Sequence, residues 1–115
     1  MAASRIMDAI ELSPGRAGGQ SDAPQAYCQA EFGFGMDVRP TYVEIPHDLR
    51  PKSWSKYKDP VVPLKLALYG HPLSGTMWER YYTDKLVNRC GFLKVPGWEC
   101  LFYHRSLRFF SQCLC

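Results

Sequence analysis

Asp22 and Tyr27, within Ser21-Asp22-Ala23-Pro24-Gln25-Ala26-Tyr27, are a pair whose types and spacing suit catalysis. An acid five residues ahead of an aromatic, at a strand end, fits metal-assisted phosphoryl transfer. In that chemistry two hard cations activate the attacking hydroxyl and neutralise the leaving pyrophosphate. Mg²⁺ keeps several waters and takes a few carboxylates together with substrate phosphates. One aspartate at a strand end supplies one such ligand, and a nearby ring stacks on the sugar and excludes a 2′-hydroxyl. The heptapeptide equally suits a surface Asp in a turn and a core Tyr, and so short a motif does not separate the two.

The thiols and imidazoles form a second candidate. Cys90, Cys100, His104, Cys113 and Cys115 fall close together, with nine, three, eight and one residues between neighbours. Zinc sites pair their ligands across about two to four residues, so buried thiols are the better expectation. Cys90 would lie on an apolar helix stripe and Cys100 in an apolar strand. His47 and His71 stand alone and read as surface loop residues. Arg50, Lys52, Lys56 and Lys58 make the densest basic run. With Tyr27 and Tyr57, Lys56 and Lys58 offer phosphate contacts and stacking to a single-stranded nucleic acid; the run equally reads as a solvated loop.

The elements that must position these residues are readable from periodicity. Ala3, Ile6, Met7 and Ile10 recur at helical spacing, and Ser13-Pro14-Gly15 ends the pattern. Residues 15–20 read as a loop. Thr41-Tyr42-Val43-Glu44-Ile45 is a strand closed by Pro46, and 47–60 is an exposed loop. Leu64, Leu66 and Leu68 share one face of a further strand that Gly70 ends. Trp78, Tyr82, Leu86 and Cys90 form the stripe of an amphipathic helix, with Gly91 at its C′ stop. Leu101-Phe102-Tyr103 and 107–110 read as a hairpin or one interrupted strand.

Composition sets outer bounds. The 115 residues are 46% hydrophobic and 22% charged, which suits one small globular domain or part of a larger one. A net charge of +3 and a pI near 8.6 permit nucleic-acid contact without requiring it. The five cysteines show no framework spacing, and the N-terminus lacks a signal-peptide core. No apolar run approaches the roughly 18 residues of a membrane span. Reduced thiols in an intracellular protein with no membrane partner are therefore expected.

Leu64 to Trp78, LKLALYGHPLSGTMW, resembles the signature L-x-K-A-L-Y-G-L-x-Q-A-P-R-x-W of copia-type retrotransposon reverse transcriptases. Leu64, Ala67, Leu68, Tyr69, Gly70 and Trp78 match in register, and Ser74 replaces another small residue. Three further blocks follow in family order. DAPQAYCQAEF resembles D-V-x-x-A-F-L-x-x-x-L, and Tyr42 to Pro46 resembles Y-M-x-x-P. Gly91-Phe92 and Cys100-Leu101-Phe102 resemble the block that ends in C-L-F. The resemblance spans about residues 3–110, leaving 111–115 as a tail outside the family pattern.

The resemblance implies an α+β fold: part of the fingers and palm, an incomplete antiparallel sheet with packing helices. It implies that Asp22 is the first metal-binding aspartate, for Mg²⁺, and that Tyr27 is the steric gate for deoxynucleotides. It places Tyr69, Gly70 and Ser74 at the nucleotide pocket, with a template-primer and a deoxynucleoside triphosphate as partners. The family's Gln, Arg and Leu are Leu73, Thr76 and His71 here. In the family, a Y-x-D-D turn after the C-L-F strand supplies two more carboxylates. Here Ser111-Gln112-Cys113-Leu114-Cys115 stands at that point, and no Asp follows Asp84. The chain alone is therefore expected not to polymerise. A nucleic-acid-binding module and a degenerate fragment with an aggregation-prone sheet edge are the alternatives.

Overall fold

The computed structural model describes residues 2–113. Helix α1, Ala2–Glu11, ends where Ser13-Pro14-Gly15 predicts, with Gly15 at φ +74°. Its Ala3, Ile6, Met7 and Ile10 are half-buried, and the helix lies against the C-terminal hairpin. A 3-10 turn covers Ala26–Gln29. Strands β1, Tyr42–Glu44, and β2, Val61–Pro63, pair antiparallel with Val43 opposite Val62. Between them, two 3-10 turns, His47–Leu49 and Lys52–Trp54, punctuate a mostly exposed loop.

Helix α2, Ser74–Asp84, runs into a π turn, Lys85–Arg89. Each four-residue step along Trp78, Tyr82 and Leu86 overshoots a 3.6-residue turn by about 40°. The stripe thus rotates off the core side: Trp78 is buried, and Tyr82 and Leu86 are half-buried. Cys90, expected as a buried thiol, is exposed because it caps the last turn. Gly91 follows at φ +74°, the left-handed stop that glycine makes without a Cβ penalty. Strands β3, Leu93–Lys94, β4, Leu101–His104, and β5, Phe109–Gln112, form an antiparallel sheet in that order. The hairpin expected from 101–110 is β4–β5, its register pairing Phe102 with Ser111. The fold is α+β: the described residues form two antiparallel sheets and two α-helices.

The strand expected at Leu64–Leu68 is corrected. Residues 64–67 form no strand: Leu66 makes an isolated bridge with Glu31, and Ala67 N–H bonds to Ala30 C=O at 2.9 Å. The inward face is the other one: Ala67 is buried, while Leu66 and Leu68 are exposed. The cause is close backbone approach. Ala67 and Ala30 pack with Met77 in one buried cluster, and only small side chains fit between the paired segments.

α2 serves two clusters. Met77 packs with Ala30 and Ala67, flanked by Tyr27, Phe32, Met36, Val38 and Tyr81. On the other side Trp78 lies 5.8 Å from the Tyr82 ring, which meets Phe102 edge-on at 6.0 Å. The molecule is drawn out, 67 × 27 × 24 Å, with a radius of gyration of 19.2 Å. A compact domain of similar length has a radius near 13 Å. The accessible surface, 8910 Å², exceeds the roughly 6,400 Å² that a compact protein of this mass exposes. No helix among the described residues is long and apolar enough to cross a membrane.

Candidate functional site

Tyr27 and Tyr69 are 42 positions apart, and the fold stacks their rings with centroids 4.6 Å apart and planes 28° from parallel. Two local devices bring them together. The 3-10 turn Ala26–Gln29 carries Tyr27, and its exit residue Ala30 is pinned to Ala67. Tyr69 and Gly70 form the turn leading into α2, with Gly70 at φ +91°, where a side chain would be strained. Tyr27 is half-buried and Tyr69 is 56% exposed, so the pair is an aromatic platform open on the Tyr69 side. A Cβ at Gly75, in the first turn of α2, would sit 3.8 Å from the Tyr27 hydroxyl.

Ser74 is wholly buried. Its Oγ donates to Leu68 C=O at 2.6 Å and accepts from Leu68 N–H at 3.1 Å. That hydroxyl clamps the Leu68–Leu73 turn shut beneath the platform, so Ser74 shapes the site from below. His71 completes the turn. Its Nδ1 accepts the Leu73 N–H at 3.2 Å and its C=O accepts the Ser74 N–H at 3.1 Å. A neutral ring accepting at Nδ1 carries its proton on Nε2, which donates to Thr41 Oγ1 at 3.3 Å. The ring also meets Phe32 edge-on at 5.1 Å. His71 is thus a half-buried cap, not the surface loop residue that its isolation in sequence suggested. Leu73, the residue before α2, offers no side-chain cap of its own.

Asp22 differs from its expected setting. It is exposed on an irregular segment, not at a strand end. Pro24 and the left-handed Gln25, φ +52°, turn the chain into the 3-10 turn before any strand can form. Among the described residues no three His, Cys, Asp or Glu side chains gather as a metal set. Cys100 is half-buried and Cys113 buried at the sheet, while Cys115 lies outside the described residues.

The basic run divides. The Arg50 guanidinium donates to Ile45 C=O at 2.7 Å and pairs with Glu44, bracing the end of β1. Lys52, Lys56 and Lys58 remain exposed, with Lys56 Nζ 5.1 Å from the Tyr57 ring centre. Beside them lies Trp54, which the reading of the sequence passed over. The spacing Trp54-x-x-Tyr57 with lysines interleaved was the available signal.

Against known proteins, the chain is similar to yeast retrotransposon polyproteins. It is 35% identical over 63 residues to the Transposon Ty1-DR4 and TyH3 Gag-Pol polyproteins of Saccharomyces cerevisiae. It is 33% identical over the same length to Transposon Ty1-NL2 Gag-Pol polyprotein. The match takes in 53% of this chain and 4% of each polyprotein. This homology supports an origin in the Pol part of a retrotransposon polyprotein. No family model and no solved structure matches the chain.

Proposed function

We propose that the chain is the part of a copia-type reverse transcriptase, an RNA-directed DNA polymerase, that forms one wall of the nucleotide pocket. The Tyr27–Tyr69 stack carries this reading. The two rings come from separate sequence blocks, DAPQAY and ALYG, which the resemblance assigns to one pocket. The homology to Ty1 Gag-Pol polyproteins supports the retrotransposon Pol origin that this reading requires. In this reading the platform receives the sugar and base of a deoxynucleoside triphosphate, and the Ser74 and His71 turn holds it rigid. Asp22 contributes one carboxylate to a Mg²⁺ pair, and the residues present fit that role only in part. It is an exposed acid that belongs, among the described residues, to no group of three acid, His or Cys side chains able to hold a metal.

Metal-assisted phosphoryl transfer depends on positioning and charge neutralisation, and one carboxylate cannot hold two cations in register. The chain by itself is therefore inactive. Purified protein, given an RNA template, a DNA primer, deoxynucleotides and Mg²⁺, should leave the primer unextended. Extension that disappears in Asp22→Asn would refute the claim of inactivity.

A further inference from the structure

Cys100 stands immediately before β4 and Cys113 immediately after β5. The hairpin register pairs Leu101 with Gln112, so one further step sets Cys100 opposite Cys113. That step is made: Cys113 N–H donates to Cys100 C=O at 3.1 Å. Antiparallel residues joined in this way have Cα atoms about 5.5 Å apart. The commonest Cα separation across a disulfide is close to this, roughly 5.5–6 Å. Both residues carry thiols. Cys100 is half-buried and Cys113 is buried, so a dissolved oxidant reaches the first more readily than the second. An accessible thiol beside a resolving one is the arrangement that redox-responsive cysteine pairs use.

We propose that Cys100 and Cys113 are a reversible disulfide site that locks the open end of the β4–β5 hairpin. Glutathione disulfide serves as the oxidant. The Cys100 thiolate attacks one of its sulfurs. The oxidant's S–S bond breaks, a Cys100–glutathione disulfide forms, and one glutathione leaves. The Cys113 thiolate then attacks the Cys100 sulfur and displaces the second glutathione. Two electrons pass to the oxidant, and the two thiol protons end on the two departing glutathiones. The link closes a loop with 12 residues between its cysteines, which stabilises the fold by restricting the unfolded chain. It also lies two residues from Ser111, whose hydroxyl shares a hydrogen bond of 3.1 Å with the Tyr82 hydroxyl of α2. Oxidation therefore tightens the strand that ties the sheet to the helix. In a reducing compartment such bonds are transient and report redox state. The inference stands apart from the polymerase reading, because it uses none of Tyr27, Tyr69 or Asp22.

Mass spectrometry of the full chain tests it, after incubation with glutathione disulfide, alkylation and tryptic digestion without reduction. Arg105 and Arg108 lie between the two cysteines, so cleavage separates their peptides unless a disulfide joins them. The joined peptides should appear, persist in Cys115→Ser, and disappear in Cys100→Ser or on adding dithiothreitol. Oxidation should raise the melting temperature by about 5–15 °C, with no rise in Cys100→Ser or in Cys113→Ser. Each comparison is between the oxidised and reduced forms of one variant, so a lower starting stability does not obscure it. No linked peptides, a link from Cys100 to any other cysteine, or an unchanged melting temperature in the linked protein would each overturn the inference.

Discussion

Phe102→Ala should cost about 3–5 kcal/mol and lower the melting temperature by roughly 12–20 °C. Phe102 is 1% exposed on the central strand of the three-stranded sheet, and its ring meets Tyr82 of α2 edge-on. Truncation removes the contact that docks the sheet on the helix and opens a cavity that the strand cannot close, since β4 is paired on both sides. The loss is severe because small domains hold only about 5–15 kcal/mol in total, and this drawn-out molecule buries less surface than a compact one. Phe102→Leu, which restores much of the volume, should recover most of the melting temperature. A thermal melt indistinguishable from the parent would show that sheet and helix are not packed as described.

Met77→Ala should have an effect of similar size on the other side of α2, about 2–5 kcal/mol. Met77 is wholly buried against Ala30 and Ala67, and its sulfur accepts the Gly33 N–H at 3.4 Å. Those partners hold the segment that carries Tyr27 against the segment that carries Tyr69. The variant should therefore lose the tyrosine stack as well as stability. The paired ring signals of Tyr27 and Tyr69 in an NMR spectrum should move toward those of free tyrosine below the melting temperature. Met77→Leu conserves volume and should preserve both.

The legible parts of the fold were those set by local chemistry. The α1 stripe, the β-branched strand around Val43, the helix after Ser74 and its glycine stop all follow from spacing or from one residue's allowed backbone. The β4–β5 hairpin was readable from apolar runs, although its register extends to Gln112. What was not legible depends on partners distant in sequence. Leu64, Leu66 and Leu68 alternate like a buried face, yet Ala67 is the buried residue, because Ala30 approaches from 37 positions away. Alternation gives two faces without saying which is inward.

The candidate site was read in the same uneven way. Tyr27 stands out by its spacing from Asp22 and Tyr69 by motif resemblance, and neither spacing nor periodicity would show that their rings touch. In the sequence His71 is a lone histidine and a departure from the family pattern. Its role as the cap of the turn before α2 requires Leu73 N–H, Thr41 and Phe32 to converge on one ring. Trp54 was overlooked because an aromatic in a charged loop carries no period. It closes a 3-10 turn, Lys52–Trp54, too short to leave a pattern.

The central claim is that Tyr27 and Tyr69 form one wall of a deoxynucleotide pocket. It is tested most directly by titrating the full chain with a deoxynucleoside triphosphate and Mg²⁺ while following assigned tyrosine ring signals by NMR. Tyr27 and Tyr69 should shift together and saturably, and the Tyr69 response should vanish in Tyr27→Leu. No shift in either ring, or an undiminished Tyr69 shift in Tyr27→Leu, would contradict the account.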